Sequence, residues 1–166
     1  MQRTVFVILA ASFAGSLAAQ NPLITEAKQQ YTSVKNNLLK AADKMPDDAY
    51  QFKPTDAQQN FAQRMMHIAN QIRTCGMIAG KPGSIDNSKT AKADVVSALK
   101  ASFDACDAAW DSMNDATAHE MIAGRGGQRT KLGTLIGNTN HDSEMYGYIS
   151  VYMRLKGVVP PSSEGR

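Results

Sequence analysis

The sequence predicts an all-α fold, a bundle of four helices, and three observations carry that prediction. Apolar residues recur at helical spacing in four segments of comparable length. All six prolines fall at the edges of those segments or between them. No stretch shows the two-residue alternation of a half-buried strand, and no sequence repeat or low-complexity tract is present. With 166 residues, 43% of them hydrophobic, the chain is long enough for one domain with its own core and short for two.

The N-terminus reads differently from the rest. Arg3 supplies a positive start, Val5 to Ala14 is almost purely apolar, and the small residues Ser16, Ala18 and Ala19 offer a cleavage site. The apolar run is shorter than the ~20 residues a spanning helix needs. Residues 1–19 are therefore read as a secretory signal peptide and 20–166 as the bundle domain. The mature chain is expected to be exported, periplasmic or secreted from a bacterium, with no membrane segment after cleavage.

The first helix follows at once. Asn21 and Pro22 provide a cap and a first-turn proline, and Ile24, Ala27, Tyr31, Val34, Leu38 and Ala41 mark one face up to Met45. The segment PDDAYQFKPT breaks the pattern, with Tyr50 and Phe52 as expected anchors of an ordered loop. Asn60 caps a second helix from Phe61 to Ala79, whose stripe is Phe61, Met65, Ile68, Ile72, Cys75 and Ala79; Gly80, Pro82 and Gly83 end it.

A polar connection leads to a third helix, marked by Val95, Leu99, Ser102, Phe103, Cys106 and Trp110 and ending near Met113. The stretch NDATAHEMIAGRGGQRT is expected to be irregular, its glycines a turn and not a phosphate cradle, and His119 a loop histidine outside any site. The fourth helix runs from Leu132 to about Lys156, stopped by Gly157, Pro160 and Pro161.

Charge excludes some functions. The net charge is +3, and the 18 basic residues are spread along the chain without runs, so neither nucleic acid nor a membrane surface is an expected partner. Cys75 and Cys106 are the two cysteines. In an oxidising compartment they form a disulfide or pack as two small buried hydrophobes on neighbouring helices, and the sequence leaves both readings open. Their spacing is no metal motif.

The fourth helix carries the candidate site. At ~100° per residue, Thr134, Asn138, His141, Met145, Tyr148 and Tyr152 share one side, with Glu144 at its margin. Core packing around a satisfied histidine would produce such a stripe. So would the lining of a pocket open at one end of the bundle, with Asn138, Tyr148 and Tyr152 as its walls.

The C-terminal stretch HDSEMYGYISVYMRLKGVVPPSS resembles the last helix of the DinB-like (YfiT-related) bundle proteins. The resemblance extends through MPDDAYQFKPT, FAQRMMHIAN, KADVVSALKASFDACDAAW and KLGTLIGNTNH, and so covers nearly all of the mature chain. It implies an up-down-down-up four-helix bundle whose members often hold zinc or nickel through three histidines, one on the second helix and two on the fourth, spaced H-x-x-x-H. His67 matches the first of these, His141 the second, and Met145 stands where the third would be.

That substitution divides the expected function. With metal on His67 and His141, the resemblance implies a metal-dependent hydrolase or thiol-transferase-like enzyme, with Glu144 as candidate base or substitute ligand. Without it, the protein is a binding or interaction protein that kept the bundle and its pocket for a small-molecule ligand. A thioether is a poor partner for a borderline dication, so zinc or nickel is expected to bind weakly or not at all. Met65, Met66 and Met145 near the two histidines make Cu(I) a minor alternative. Dimers are common among the relatives, and a homodimer is consistent with the resemblance.

Overall fold

A computed structural model describes residues 21–124 and 126–165, so the signal segment expected at residues 1–19 lies outside the described residues. Its helices are α1 (Pro22–Lys44), α2 (Phe61–Ala69), α3 (Ile72–Ile78), α4 (Lys92–Asp111), α5 (Asp115–Ala118) and α6 (Lys131–Leu155). A two-stranded antiparallel hairpin, β1 (Met121–Gly124) and β2 (Gly127–Thr130), precedes α6. The fold is all-α in its core.

Local chemistry sets these boundaries. The Asn21 side chain accepts from the Leu23 amide at 3.0 Å, and Pro22 occupies the first turn of α1. Asn60 and Gln63 form a reciprocal capping box that starts α2. α3 ends in a paired backbone cap: Gly80, at φ +72°, lets the Lys81 amide reach the Gly76 carbonyl at 2.7 Å and its own amide reach Met77. Glycine suits that left-handed position because it has no Cβ to clash.

The single helix expected over Phe61–Ala79 is two helices, α2 and α3. At the junction the Asn70 side chain donates to the Met66 carbonyl, and the Gln71 and Arg73 amides bond three residues back. Such side-chain competition for helical carbonyls tightens the turn without proline or glycine, which is why periodicity alone misses it. The turn carries Gln71 into the interior, where it is buried.

The stretch expected to be irregular also holds structure. Asn114 caps the short α5, and the hairpin turns through Gly126 and Gly127, both at positive φ. Ile122 is the hairpin's partly buried hydrophobic packed against the core, and the other residues are mostly exposed, so the strands carry no hydrophobic alternation.

Side-chain pairs fix the topology. Lys28 pairs with Asp111 at one end of α1 and α4, while Lys92 donates to the Met45 carbonyl at the other, so these helices run antiparallel. Met66 lies beside Ala98 and Ala101, and Cys75 is disulfide-bonded to Cys106, so α2–α3 and α4 run parallel. Phe61 faces Tyr152 and His67 faces His141, which makes α6 antiparallel to α2. The result is an up-down-down-up bundle in which α1 and α2–α3 each touch α4 and α6.

The core is aromatic at both ends. Tyr31 stacks on Trp110 at 5.6 Å between ring centres, and its hydroxyl donates to Asp107 at 2.8 Å; burial and that carboxylate push the Tyr31 phenol far above its usual range. The loop after α1 is pinned as expected. Tyr50 donates to the Ala42 carbonyl at 2.7 Å, and Phe52 meets the edge of Tyr152.

Candidate functional site

The seam between α2 and α6 brings the site residues together as a ladder of facing pairs. Phe61 sits opposite Tyr152, Arg64 opposite Met145 and Tyr148, His67 opposite His141, and Gln71 opposite Asn138. On both helices the ladder residues are three or four positions apart, the spacing that puts side chains on one face.

The central rung is the histidine pair. The two Nε2 atoms lie 3.1 Å apart, close enough to share a proton, with one ring donating and the other accepting. The rings meet edge to face at 76°. His67 is exposed and His141 half-buried, so the pair opens to solvent. Beside it a cavity of about 240 Å³ is lined by Gln59, Gln63, Met66, His67, Asn70 and Asn87. Its wall is mostly side-chain amide. Asn70 and Asn87 exchange two hydrogen bonds, which tie the connection after α3 to the helix pair.

One turn along, Met145 is 4% exposed and its sulfur is engaged. Arg64 donates from Nη1 to Sδ at 3.8 Å and from Nη2 to Gln58 at 2.9 Å, and its guanidinium lies 4.8 Å from the centre of the Tyr148 ring. Its Nε is buried without a hydrogen-bond partner. Among the described residues no carboxylate ion-pairs with Arg64. Sequence reasoning placed Met145 on this seam but missed Arg64. The signal was its position one turn before His67, which puts it opposite Met145.

The remaining candidates scatter. Asn138 donates to the Gln71 side chain and so joins a polar contact rather than an open wall. Tyr152 is core, its hydroxyl donating to the Gln59 carbonyl at 2.7 Å. Tyr148 is 42% exposed and borders a shallow depression with Glu144, Gly147 and Val151. Glu144 therefore looks outward. His119 caps α5 on the surface, as expected of a loop histidine.

Below the ladder lies a group the sequence reading did not single out. Asp142 is 1% exposed, and neither carboxyl oxygen has a hydrogen-bond partner. Burial raises its pKa from 3.8 to about 8, so it is held as the neutral acid at neutral pH; the nearby Gln71 amide offsets this by less and closes no hydrogen bond of good geometry. The signal was legible in retrospect. Asp142 falls in register with the buried Leu135 and Ile149, one heptad away on either side.

A bundle of this topology matches known proteins. Residues 30–149 match the family model of the DinB superfamily. The crystal structure of a DinB-like protein from Bacillus cereus ATCC 10987 superposes with a TM-score of 0.71 at 17% identity, covering 83% of this chain and 95% of that one. No curated protein matches the chain significantly. The chain belongs to the DinB superfamily.

The side chains at the seam do not fit the three-histidine divalent site expected of the family. Two imidazole nitrogens 3.1 Å apart suit a shared cation as well as a shared proton, because ligands ~2.0–2.1 Å from a tetrahedral zinc lie about 3.3 Å from each other. The third position fails. Met145 offers a soft sulfur, and the guanidinium of Arg64 already stands against it. A fixed positive charge there repels a dication. Among the described residues no group of three or more His, Cys, Asp or Glu side chains is arranged to hold a metal.

Proposed function

We propose that the protein is a non-catalytic binding member of the superfamily, exported, whose former metal position takes a small molecule bearing a carboxylate or phosphate. The observation that carries this reading is the Arg64 guanidinium against Met145, which puts a permanent cation where the relatives place a third ligand. An anion is attracted to a site for the same reason that a dication is repelled. The amide-lined cavity beside His67 offers hydrogen bonds for the rest of such a molecule, and its volume of about 240 Å³ restricts that molecule to a small one.

Export is supported by the apolar N-terminal run and by the joined Cys75 and Cys106, since structural disulfides persist in oxidising compartments.

The test is ligand-observed NMR on the purified exported chain, with matched small carboxylates, phosphate monoesters and neutral amides as probes. Anionic probes should bind and neutral ones should not, and Arg64→Gln should abolish the difference. Equal binding of neutral and anionic probes would contradict the reading.

A second reading keeps an observation of its own. The 3.1 Å spacing of His67 and His141 is compatible with zinc or nickel between them, and so with a metal-dependent hydrolase or thiol-transferase-like enzyme, although the outward-looking Glu144 does not serve it as a base. The soft sulfur of Met145 would favour Cu(I) over either. Tight, stoichiometric metal binding by the wild-type chain would promote this reading.

A further inference from the structure

Three buried polar side chains meet at one level of the bundle. Asp142 of α6 is 1% exposed, Gln71 at the start of α3 is 7% exposed, and Ser102 of α4 is 0% exposed. Both carboxyl oxygens of Asp142, the Gln71 Nε2 and the Ser102 Oγ are buried, and among the described residues no group of the chain hydrogen-bonds to any of the four. Buried polar atoms are nearly always paired, so a cluster of orphans from three helices calls for a shared partner.

The disulfide fixes the level. Cys75 and Cys106 are joined on parallel helices, and Gln71 and Ser102 each stand four residues before their cysteine, one turn away on the same face. The Cys75 amide bonds to the Gln71 carbonyl at 2.9 Å, so the turn between them is helical. From the third helix, Asp142 stands close to the Gln71 amide. Asn138 donates to the other end of that amide, at Oε1, which leaves Nε2 for the interior.

The mixture of donors and acceptors selects the partner. The Gln71 Nε2 can only donate, while the Ser102 hydroxyl and the Asp142 carboxyl both accept. A cation would meet the amide N–H, and an anion would meet the carboxyl oxygens. Water accepts from the one and donates to the others, and two to four polar neighbours are what a buried water uses.

We infer that Asp142, Gln71 and Ser102 hold a buried water molecule as a structural ligand between α3, α4 and α6, accepting from the Gln71 Nε2 and donating to the other two side chains. The water braces the inward end of the Gln71 amide. Its outward end carries the Asn138 rung, one helical turn from His141.

Two measurements test this. Oxygen-17 relaxation dispersion counts long-lived waters and is blind to proton exchange with hydroxyl and carboxyl groups. Asp142→Leu, close in volume and without polar atoms, should lower the wild-type dispersion by the contribution of one water, and Asp142→Asn should keep it, with circular dichroism confirming that both fold. A crystal structure of the wild type should show a density peak about 2.7–3.0 Å from all three side chains, and this holds or fails whether or not Asp142→Leu folds. A wild-type map with no peak there, or equal dispersion in wild type and folded Asp142→Leu, would overturn the inference. A peak about 2.3–2.6 Å from Asp142 and Ser102 and turned away from Gln71 would be a bound cation, and would overturn it too.

Discussion

Arg64 donates to the sulfur of Met145 across the α2–α6 seam, at 3.8 Å and one helical turn from the paired histidines. The two residues together decide what the seam can hold. A histidine at position 145 would provide the third donor that the family resemblance implies, yet it would meet the Arg64 guanidinium.

Restoring the metal site should therefore need two changes. Met145→His alone should gain little zinc affinity, because Arg64 remains against the new ligand. Met145→His with Arg64→Gln should bind at least ~10–100-fold more tightly than the single variant, a factor of the size associated with loss of supporting contacts around a metal ligand. Calorimetric titration resolves that range. Equal affinity in the two variants would show that the guanidinium does not govern the site.

Asp142 makes the stability of the fold depend on pH in an unusual direction. Its pKa is raised from 3.8 to about 8 on folding, so the folded state binds a proton the unfolded chain has released. The contribution is fully present below about pH 4 and is lost as pH rises through about 8, at up to ~1.4 kcal/mol per pH unit in between. Asp142→Asn should flatten this slope in denaturant melts between pH 5 and pH 8 and should be the more stable protein at pH 8. Parallel slopes for the two proteins would refute the assignment.

Much of the fold was legible in the residues. Asn21, Asn60, Gly80 and Gly157 marked helix ends by chemistry that acts within a few residues, and the stripe from Val95 to Trp110 named the buried face of α4 correctly. The break at Asn70 was not legible, because it arises from a side chain competing for a carbonyl and leaves the apolar spacing intact. The hairpin of β1 and β2 was hidden for the opposite reason, since one partly buried hydrophobic, Ile122, is too little to impose an alternating pattern. At the site, the facing of His67 and His141 followed from family resemblance. Arg64 lay on a surface-polar position of α2, and only the antiparallel seam shows that it meets Met145.

The Cys75–Cys106 disulfide closes a sequence separation of 31 residues between α3 and α4. Constraining the unfolded chain by a loop of that size contributes about 3–4 kcal/mol. Cys75→Ala with Cys106→Ala should lower the melting temperature by roughly 10 °C while leaving the helical circular dichroism unchanged. An unaltered melting temperature would show that the two residues act only as packed hydrophobes.

The proposed export predicts where the mature chain begins. Intact mass of protein recovered from the exported fraction should place the N-terminus at Ala19, Gln20 or Asn21, just ahead of the α1 cap. Recovery of a chain still starting at Met1 would contradict export.

The central claim is that the seam has exchanged a cation site for an anion site, and zinc titration of the wild-type chain at pH 7.5 tests it most directly. The expected result is no saturable heat at micromolar zinc, with anionic probes still binding in an Arg64-dependent manner. Stoichiometric zinc binding at nanomolar to low-micromolar affinity, lost in His141→Ala, would contradict it and return the protein to its metal-binding relatives.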